Sequence, residues 1–366
     1  NLGLTARLAT RVQPALIVCR ALAFKRPSTV TMAPNPFKKM VRRAVHGVLL
    51  VDKPVGPSST KVLGRIKGMF RAQKAGHGGT LDPMASGMLP ILLGDATKFA
   101  QAGLDADKSY RAQIRLGQTS DTGDAEGQLS QPQPVSCTRE SVEAVLHGCL
   151  GPQIQIPPMY SALKHQGRPL YAYAREGRSI AREGREIVVH EIRLDAWNSP
   201  DLTVTVRCSK GTYIRTLAET IGQRLGCGGY LTGLRRTGLS AFTEADMVCL
   251  DTLDAFAAQH SSPQQANDTA QESRKLAALD RLLLPVDALI AHWPELALTD
   301  QQSQDFLHGR QLACSLAMPQ PPEGQAIRIK DAQQRFLGVA HFSLGILRPK
   351  RLVASDPSAI SSLGDS

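Results

Sequence analysis

Residues 76–87, Gly-His-Gly-Gly-Thr-Leu-Asp-Pro-Met-Ala-Ser-Gly, constrain the fold more than any other stretch of this chain. Four glycines, Gly76, Gly78, Gly79 and Gly87, surround a single carboxylate, Asp82. Glycine admits backbone conformations closed to other residues and lets the chain lie close against a ligand. Pro83 biases the residue before it away from the helical region, so Asp82 should be extended and project from a loop. On these residues alone two readings stand: a site built on close backbone approach, and an ordinary surface turn, since Gly, Asp and Pro also make turns.

The flanks suggest what holds this loop. Val48–Val51 is a short buried-strand run ending in the turn-forming Asp52-Lys53-Pro54-Val55-Gly56. Ser58, Ser59 and Thr60 offer N-caps for a helix running to about Phe70, with Val62, Leu63, Ile66, Met69 and Phe70 on one face. Lys61, Arg65, Lys67 and Arg71 fall largely on the other face, as a solvated side or a phosphate contact. After the loop, Met88–Leu93 is a second apolar run. Residues 110–117 alternate, with Tyr110, Ala112, Ile114 and Leu116 on the buried side. Strands are expected at about 186–197 and 202–208, followed by a helix carrying Tyr213, Ile214, Arg215, Leu217 and Ile221 and stopped by Gly226. Arg215 lies among apolar residues of its helix face and needs an anionic partner, because a buried unpaired charge is costly. Asp82 is the best candidate.

The net charge of +11 invites a nucleic-acid reading, but nine of the basic residues lie in residues 1–51, which contain no acid. A case for RNA must therefore rest on local patches. Residues 157–186 supply one. Tyr160, Lys164, Arg168, Tyr171, Tyr173, Arg175, Arg178, Arg182 and Arg185 interleave cations with aromatics, a composition that tracks phosphates and stacks unpaired bases. The loop Asp121-Thr122-Gly123-Asp124-Ala125-Glu126-Gly127 lacks the carboxylate spacing of a calcium loop and reads as a turn-rich segment with a positioning role.

Residues 1–44 read as a basic, disordered leader, with an upstream translation artefact or disordered arm favoured over a mitochondrial transit peptide; Met32 offers an internal start. Seven scattered cysteines with no Cys-x-x-Cys suit a reducing compartment and argue against a disulfide framework or a zinc site. No apolar run approaches the roughly 18 residues that span a bilayer, so a soluble protein is expected. Residues 257–275, rich in Ala, Gln and Ser without periodicity, read as a low-complexity insertion. From about residue 284 a β-rich segment with one helix, Asp300–Leu307, runs to 353, and a disordered tail at 354–366 is expected.

Six motifs, in order, resemble the TruB-type tRNA pseudouridine-55 synthases: Val-Asp52-Lys53-Pro54-x-Gly56; Gly76-His77-x-Gly79-Thr-Leu-Asp82-Pro-x-Ala-x-Gly87; Lys108-x-Tyr110; Pro157-Pro-x-Tyr160-Ser-Ala-x-Lys164; Ser209-Lys-Gly-Thr-Tyr213-Ile-Arg215; and Leu234-Arg-Arg. The similarity runs from about His46 to Val353, and the ending resembles bacterial members. Gly78 departs from it, standing where many relatives have Thr. The resemblance implies an α+β fold: a catalytic domain at 45–283 with a mixed, mainly antiparallel sheet and a thumb insertion at 157–186, then a PUA-like RNA-binding β pseudo-barrel at 284–353.

It also implies chemistry. Uridine 55 of the tRNA T-loop would be flipped out, its C1′–N1 bond broken and the base rejoined through C5, with no cofactor and no metal. Asp82 would be the nucleophile, Arg215 its ion-pair partner, and Tyr110 would stack on the target base near C5. Tyr213 and Leu234 would line the uracil pocket with Lys53 beside it. His77 would fill the space the base vacates, and Lys164 on the thumb would approach phosphate. A monomer needing no protein partner and no membrane is expected, in the cytoplasm, or in mitochondria if residues 1–44 are a transit peptide.

Two other functions were open on the residues. A glycoside hydrolase also acts at an anomeric carbon but normally flanks the bond with two carboxylates, whereas here only Asp82 sits in a site-like loop. A non-catalytic RNA chaperone or binding module would keep the thumb, basic helix and β-rich tail without chemistry.

Overall fold

The computed structural model describes residues 41–259, 269–313 and 323–353. The expectations for residues 1–40 and for the tail at 354–366 lie outside these residues. Within residues 41–44, the end of the stretch read as a leader, Arg43 is tied to the fold. Arg43 receives a backbone hydrogen bond from Gln73 and donates one to Arg71, and its guanidinium grips Asp280 with both Nη atoms.

The first half of the main sheet brackets the glycine-rich loop. Strand β1 (Gly47–Lys53) leads into helix α1 (Ser59–Met69), capped as expected by the Ser58 hydroxyl, which accepts from Lys61 N at 3.3 Å. Strand β2 (Ala75–His77) and strand β3 (Ala85–Leu93) lie on either side of the loop, so the loop leaves and re-enters the same sheet. Helix α2 (Ala100–Asp105) and strand β4 (Lys108–Leu116) follow.

Helix α3 (Arg139–His147) and edge strand β5 (Gly151–Gln155) lead to the thumb insertion. The insertion holds a two-stranded hairpin, β6 (Lys164–His165) and β7 (Arg168–Pro169), and a short helix α4 (Leu170–Ala174). Strands β8 (Arg185–Asn198) and β9 (Asp201–Cys208), helix α5 (Ile214–Arg224), strand β10 (Gly229–Leu239) and strand β11 (Val248–Cys249) complete a nine-stranded sheet. Its order is β11-β1-β3-β10-β4-β9-β8-β5, with β2 on β3. Only the β1–β11 and β3–β10 pairs are parallel, so the sheet is mixed and mainly antiparallel.

Burial explains the two sequence patterns. Strand β1 is a continuous apolar run because both of its faces are covered: Leu49 and Val51 join one core with α1 and α5, Val48 and Leu50 another with Met88, Leu92 and Leu289. Strand β4 alternates because Lys108, Tyr110, Ala112, Ile114 and Leu116 are buried, while Arg111, Gln113 and Arg115 face solvent.

Within the low-complexity stretch 257–275, helices α6 (Leu250–Gln259) and α7 (Thr269–Asp280) take in residues 257–259 and 269–275. Residues 260–268 lie outside the described part, but 269–275 open a helix whose Leu276 and Leu279 pack on the main core. The charges of α1 are its reason for docking. Arg65 pairs with Asp254 and Arg71 with Glu272, so two cations of the basic face already have protein acids as partners.

Strand β12 (Glu295–Ala297), helix α8 (Asp300–Leu307) and strands β13 (Leu312–Ala313), β14 (Ala326–Lys330), β15 (Phe336–Ser343) and β16 (Ile346–Leu352) form a second, five-stranded sheet, ordered β12-β14-β15-β16-β13, consistent with a small PUA-like pseudo-barrel. Phe306, Ile327, Ile329 and Leu347 fill its core. It meets the larger sheet's layer where Phe99 packs edge-on against Phe336 and Lys98 donates to Leu352 O at 2.7 Å.

Candidate active site

The Asp82 loop is clamped on both sides of the carboxylate. Before it, the buried Ser59 hydroxyl both accepts from Leu81 N and donates to Leu81 O, each at 2.8 Å. After it, Lys53 sends its ammonium under the turn, donating to Ala85 O at 2.6 Å, Pro54 O at 2.9 Å and Pro83 O at 3.4 Å, while Gly56 N donates to Pro83 O at 2.8 Å. Lys53 thus lies beneath the loop, fully enclosed.

Only two of the four glycines need to be glycine for the backbone's sake. Gly87 has φ +97°, and a Cβ there would meet Arg236 O at 2.2 Å; Gly79 has φ +143°, and a Cβ would press on Arg236 Nη1 at 3.3 Å. A Cβ at Gly76 or Gly78 would make only ordinary contacts.

Asp82 meets Arg215 at 3.1 Å (Oδ2 to Nη2). The guanidinium is buried at the start of α5 and divides its fork. Nη1 donates to Thr122 O at 2.9 Å and lies 3.5 Å from Asp124 Oδ2; Nη2 also donates to Tyr160 O at 2.6 Å. Asp124 is itself fixed by the Thr122 hydroxyl at 2.6 Å and Glu126 N at 3.1 Å. The turn-rich loop 121–127 therefore does position the site, through Asp124, a residue not singled out from sequence because its carboxylate lies among others in a loop.

Burial pushes the Asp82 carboxyl above its usual range; Arg215 and Lys53 oppose this and Asp124 adds to it. Desolvation draws the Lys53 ammonium down to about 8, against the pull of Asp82. Burial raises Tyr110 and Tyr213, and lowers His77.

Of the residues expected in the site, Arg215, Lys53, Tyr110 and Tyr213 each have Asp82 within electrostatic reach. Tyr110 is buried on β4, in register with Arg236. Tyr213 precedes α5 and is held by Gln155, whose side chain accepts from Tyr213 N at 2.7 Å and donates to Tyr213 O at 3.1 Å. Leu234 sits between Ala85 and Ala112 in register, half-buried. His77 is half-buried on β2 with Nδ1 enclosed and unpartnered. Lys164 is exposed on the thumb hairpin and is not drawn into this cluster.

The thumb corrects one reading. Tyr173 is not free to stack a base: it is buried, with Arg168 and Arg178 over its ring at 4.8 and 5.3 Å and its hydroxyl donating to His165 O. Arg168 is further paired with Glu176. Aromatics and arginines interleave there because they pack on each other; Tyr171 remains exposed.

Arg236 was missed as a site residue. Strand alternation carries the signal, since Leu234 and Arg236 share a face of β10 while Arg235 points to the other, where it grips Asp52 at 2.9 Å with both Nη atoms.

A lone carboxylate on a clamped loop, paired with a buried arginine and flanked by a buried tyrosine on a mixed sheet, defines an enzyme of the pseudouridine synthase class. Residues 67–214 match the TruB family pseudouridylate synthase N-terminal domain, 215–291 the tRNA pseudouridylate synthase B C-terminal domain, and 294–353 the pseudouridine synthase II TruB C-terminal domain. The tRNA pseudouridine synthase B of Burkholderia mallei (strain ATCC 23344) is 48% identical over 327 residues, 89% of this chain and 99% of the relative. That of Azoarcus sp. (strain BH72) is 48% identical over 318 residues, covering 87% and 98%. The crystal structure of a Cbf5-Nop10-Gar1 complex contains a similar chain, with TM-score 0.62, 25% identity and 84% of each chain covered. The chain belongs to the TruB family of pseudouridylate synthases, and its relatives are of the bacterial type.

Proposed function

We propose that this enzyme converts uridine 55 in the T-loop of tRNA to pseudouridine, with Asp82 as its nucleophile. The observation that carries this reading is the Asp82–Arg215 pair at 3.1 Å on a loop clamped by Ser59 and Lys53. The names of the relatives support tRNA as the substrate. The target base lies inside a folded loop, so it must be extruded before a carboxylate can reach it.

Three routes are open to Asp82. It attacks C1′ as the C1′–N1 bond breaks, or it adds to C6 of the base, or it takes the 2′ proton while the base departs. Each returns the same base through C5 and releases the C5 proton, so no oxidant, reductant or energy source is consumed. Arg215 orients the carboxylate and counters the burial that would protonate it. Tyr110 stacks on the uracil, Tyr213 and Leu234 bound its pocket, and His77 occupies the space it leaves. The thumb at 157–186, with Lys164 at its hairpin, grips the RNA, and its root reaches the site through Tyr160 O.

We also propose the division into a catalytic domain at 45–283 and a PUA-like RNA-binding domain at 284–353, acting as a monomer without a protein partner or cofactor. Among the described residues no helix is long and apolar enough to cross a membrane. The bacterial relatives favour a cytoplasmic location over the mitochondrial alternative.

The test is to incubate an unmodified T-arm transcript with the protein and with Asp82→Asn, then assay pseudouridine by position. Product at uridine 55 from the wild type alone is expected. Product from both removes Asp82 from its role, and none from either leaves an RNA-binding module.

A further inference from the structure

Arg236 heads the fully buried side chains by size, at 1% exposure. Its Nε donates to Met88 O at 2.6 Å and its Nη2 to Gly79 O at 3.1 Å, so one guanidinium ties β3 to the loop that leads to Asp82. Its backbone is in register with Gly87 on β3 and with Tyr110 on β4. The groups that bear on the Tyr110 phenol are Arg236 on β10, Cys208 on β9 and Asp82 from the loop. Arg236 also bears on Lys53, His77 and Lys108.

What sets Arg236 apart from the other buried arginines, Arg215 and Arg328, is its lack of an acid. Arg215 has Asp82 and Asp124, Arg235 has Asp52 and Glu244, and Arg328 has Asp287 and Glu295. Among the described residues Arg236 makes no ion pair; it donates to two carbonyls, and its guanidinium also lies within hydrogen-bonding reach of the Tyr110 phenol. Lys53 and Lys108 beside it are likewise held by carbonyls. A guanidinium stays protonated in any protein environment, so this charge is a standing cost to the fold. Costs of that kind are expected where a chain trades stability for function.

We infer that Arg236 is a positioning residue of this active site: it locks the Tyr110 ring and the Gly79–Asp82 loop into one frame and holds an unneutralised positive charge behind them. The inference rests on the proposed reaction and deepens it. In all three routes Asp82 gives up its negative charge, by forming a bond to C1′ or C6 or by taking the 2′ proton. The displaced electron pair settles on the uracil, at N1 and its two carbonyl oxygens or as the C5–C4–O4 enolate. Charge therefore moves from the carboxylate to the base. Arg215 is committed to carboxylates and follows the first; a cation paired with no acid is free to favour the second without reorganising.

The test uses the full chain, Arg236→Lys, Arg236→Gln and Tyr110→Phe. Single-turnover pseudouridine formation on the T-arm transcript is measured beside the transcript Kd, and 13Cζ-tyrosine NMR follows the phenols, with Tyr110→Phe assigning the Tyr110 signal. Arg236→Gln should slow the single-turnover rate about 100-fold with Kd within about threefold, and Arg236→Lys should recover about tenfold of that loss. The Tyr110 phenol should ionise at higher pH in Arg236→Gln than in wild type, with Arg236→Lys between.

Equal rates for Gln and Lys, a loss confined to Kd, or an unmoved Tyr110 signal would each overturn the inference. A wild type that makes no pseudouridine sinks the functional reading instead, and the Tyr110 titration then decides on Arg236 alone. Should Arg236→Gln fail to fold, the Arg236→Lys and Tyr110→Phe double mutant replaces it, and rate losses that simply multiply would overturn the coupling.

Discussion

Arg215 and Asp82 meet at 3.1 Å but share the contact unequally: the arginine side chain is 6% exposed and the carboxylate 42%. The cation is built into the wall, held by Thr122 O, Tyr160 O and Asp124, and the anion reaches it from the mouth of the site. The fork therefore does not clasp Asp82 in two places; it spans two acids and two carbonyls. Lysine keeps the charge but has three donors on one nitrogen and no fork, so it cannot serve all four partners. Arg215→Lys should bind tRNA within about threefold of wild type and turn over at least about 100-fold more slowly, a loss of roughly 3 kcal/mol in the transition state. Single-turnover rates beside filter-binding affinities check this, and near-normal turnover would count against the pairing as the source of orientation.

The raised Asp82 carboxyl has a consequence for stability. The folded protein holds this proton more tightly than the unfolded chain does, whose value lies near 3.8. The contribution is fully present at low pH and is lost as pH rises through the folded value, so at neutral pH the ionised Asp82 works against folding. Asp82→Asn should therefore melt higher than wild type at pH 7, and the gap should shrink as pH falls toward 4. Melting curves across that range decide; an Asn variant less stable than wild type at pH 7 would contradict the sign. In the same window wild-type activity should rise with pH through a limb lying above the ordinary carboxylate range.

Lys53 offers a second pH window. Its ammonium is drawn down to about 8 from an ordinary 10.5, so between those values the unfolded chain binds more protons and the folded state gains stability with rising pH. Lys53→Met keeps much of the volume but leaves the carbonyls of Pro54, Pro83 and Ala85 without this donor. A loss on the order of 2 kcal/mol at pH 7 is expected. The deficit should widen from about pH 8 toward 10.5, because the variant lacks the gain that wild type makes there. Denaturant midpoints at pH 7 and 9.5 measure it, and a deficit that narrows would refute the assignment.

Much of this was readable in the chain because local rules and tertiary structure agree. Ser58 caps α1 as its residue type demands, β4 alternates because one face is wet, and Arg215 among apolar neighbours asked for an acid and found Asp82. Legibility ended where partners are distant in sequence and chemically unremarkable. Ser59 looked like a cap candidate and is a clamp on Leu81, 22 residues on. Asp124 looked like turn chemistry and braces Arg215. Helix α7 showed no useful periodicity because Arg71 and Arg43 anchor Glu272 and Asp280 at its two ends, while only Leu276 and Leu279 need reach the core. Composition could not tell which thumb residues pack on each other: Arg168, Tyr173 and Arg178 do, while Lys164 and Tyr171 stay exposed.

That packing makes two of the thumb's tyrosines separable. Tyr173 is sandwiched by Arg168 and Arg178 and donates to His165 O at 3.2 Å, whereas Tyr171 is 41% exposed with Arg175 over its ring. Tyr173→Phe removes one hydrogen bond, on the order of 1 kcal/mol, and should leave RNA affinity close to wild type. Tyr173→Ala removes the ring on which both arginines rest. It should loosen the thumb by about 3 kcal/mol and weaken tRNA binding through the loss of a preformed grip. Tyr171→Ala deletes an exposed ring that packs nothing buried, so any affinity it costs reports direct contact with RNA. Limited proteolysis of the thumb beside tRNA Kd separates the cases: Tyr173→Ala should raise cleavage and Kd together, and Tyr171→Ala should change Kd alone. A Tyr173→Ala protein with an intact, protease-resistant thumb and weakened binding would return Tyr173 to the role of a base-stacking residue.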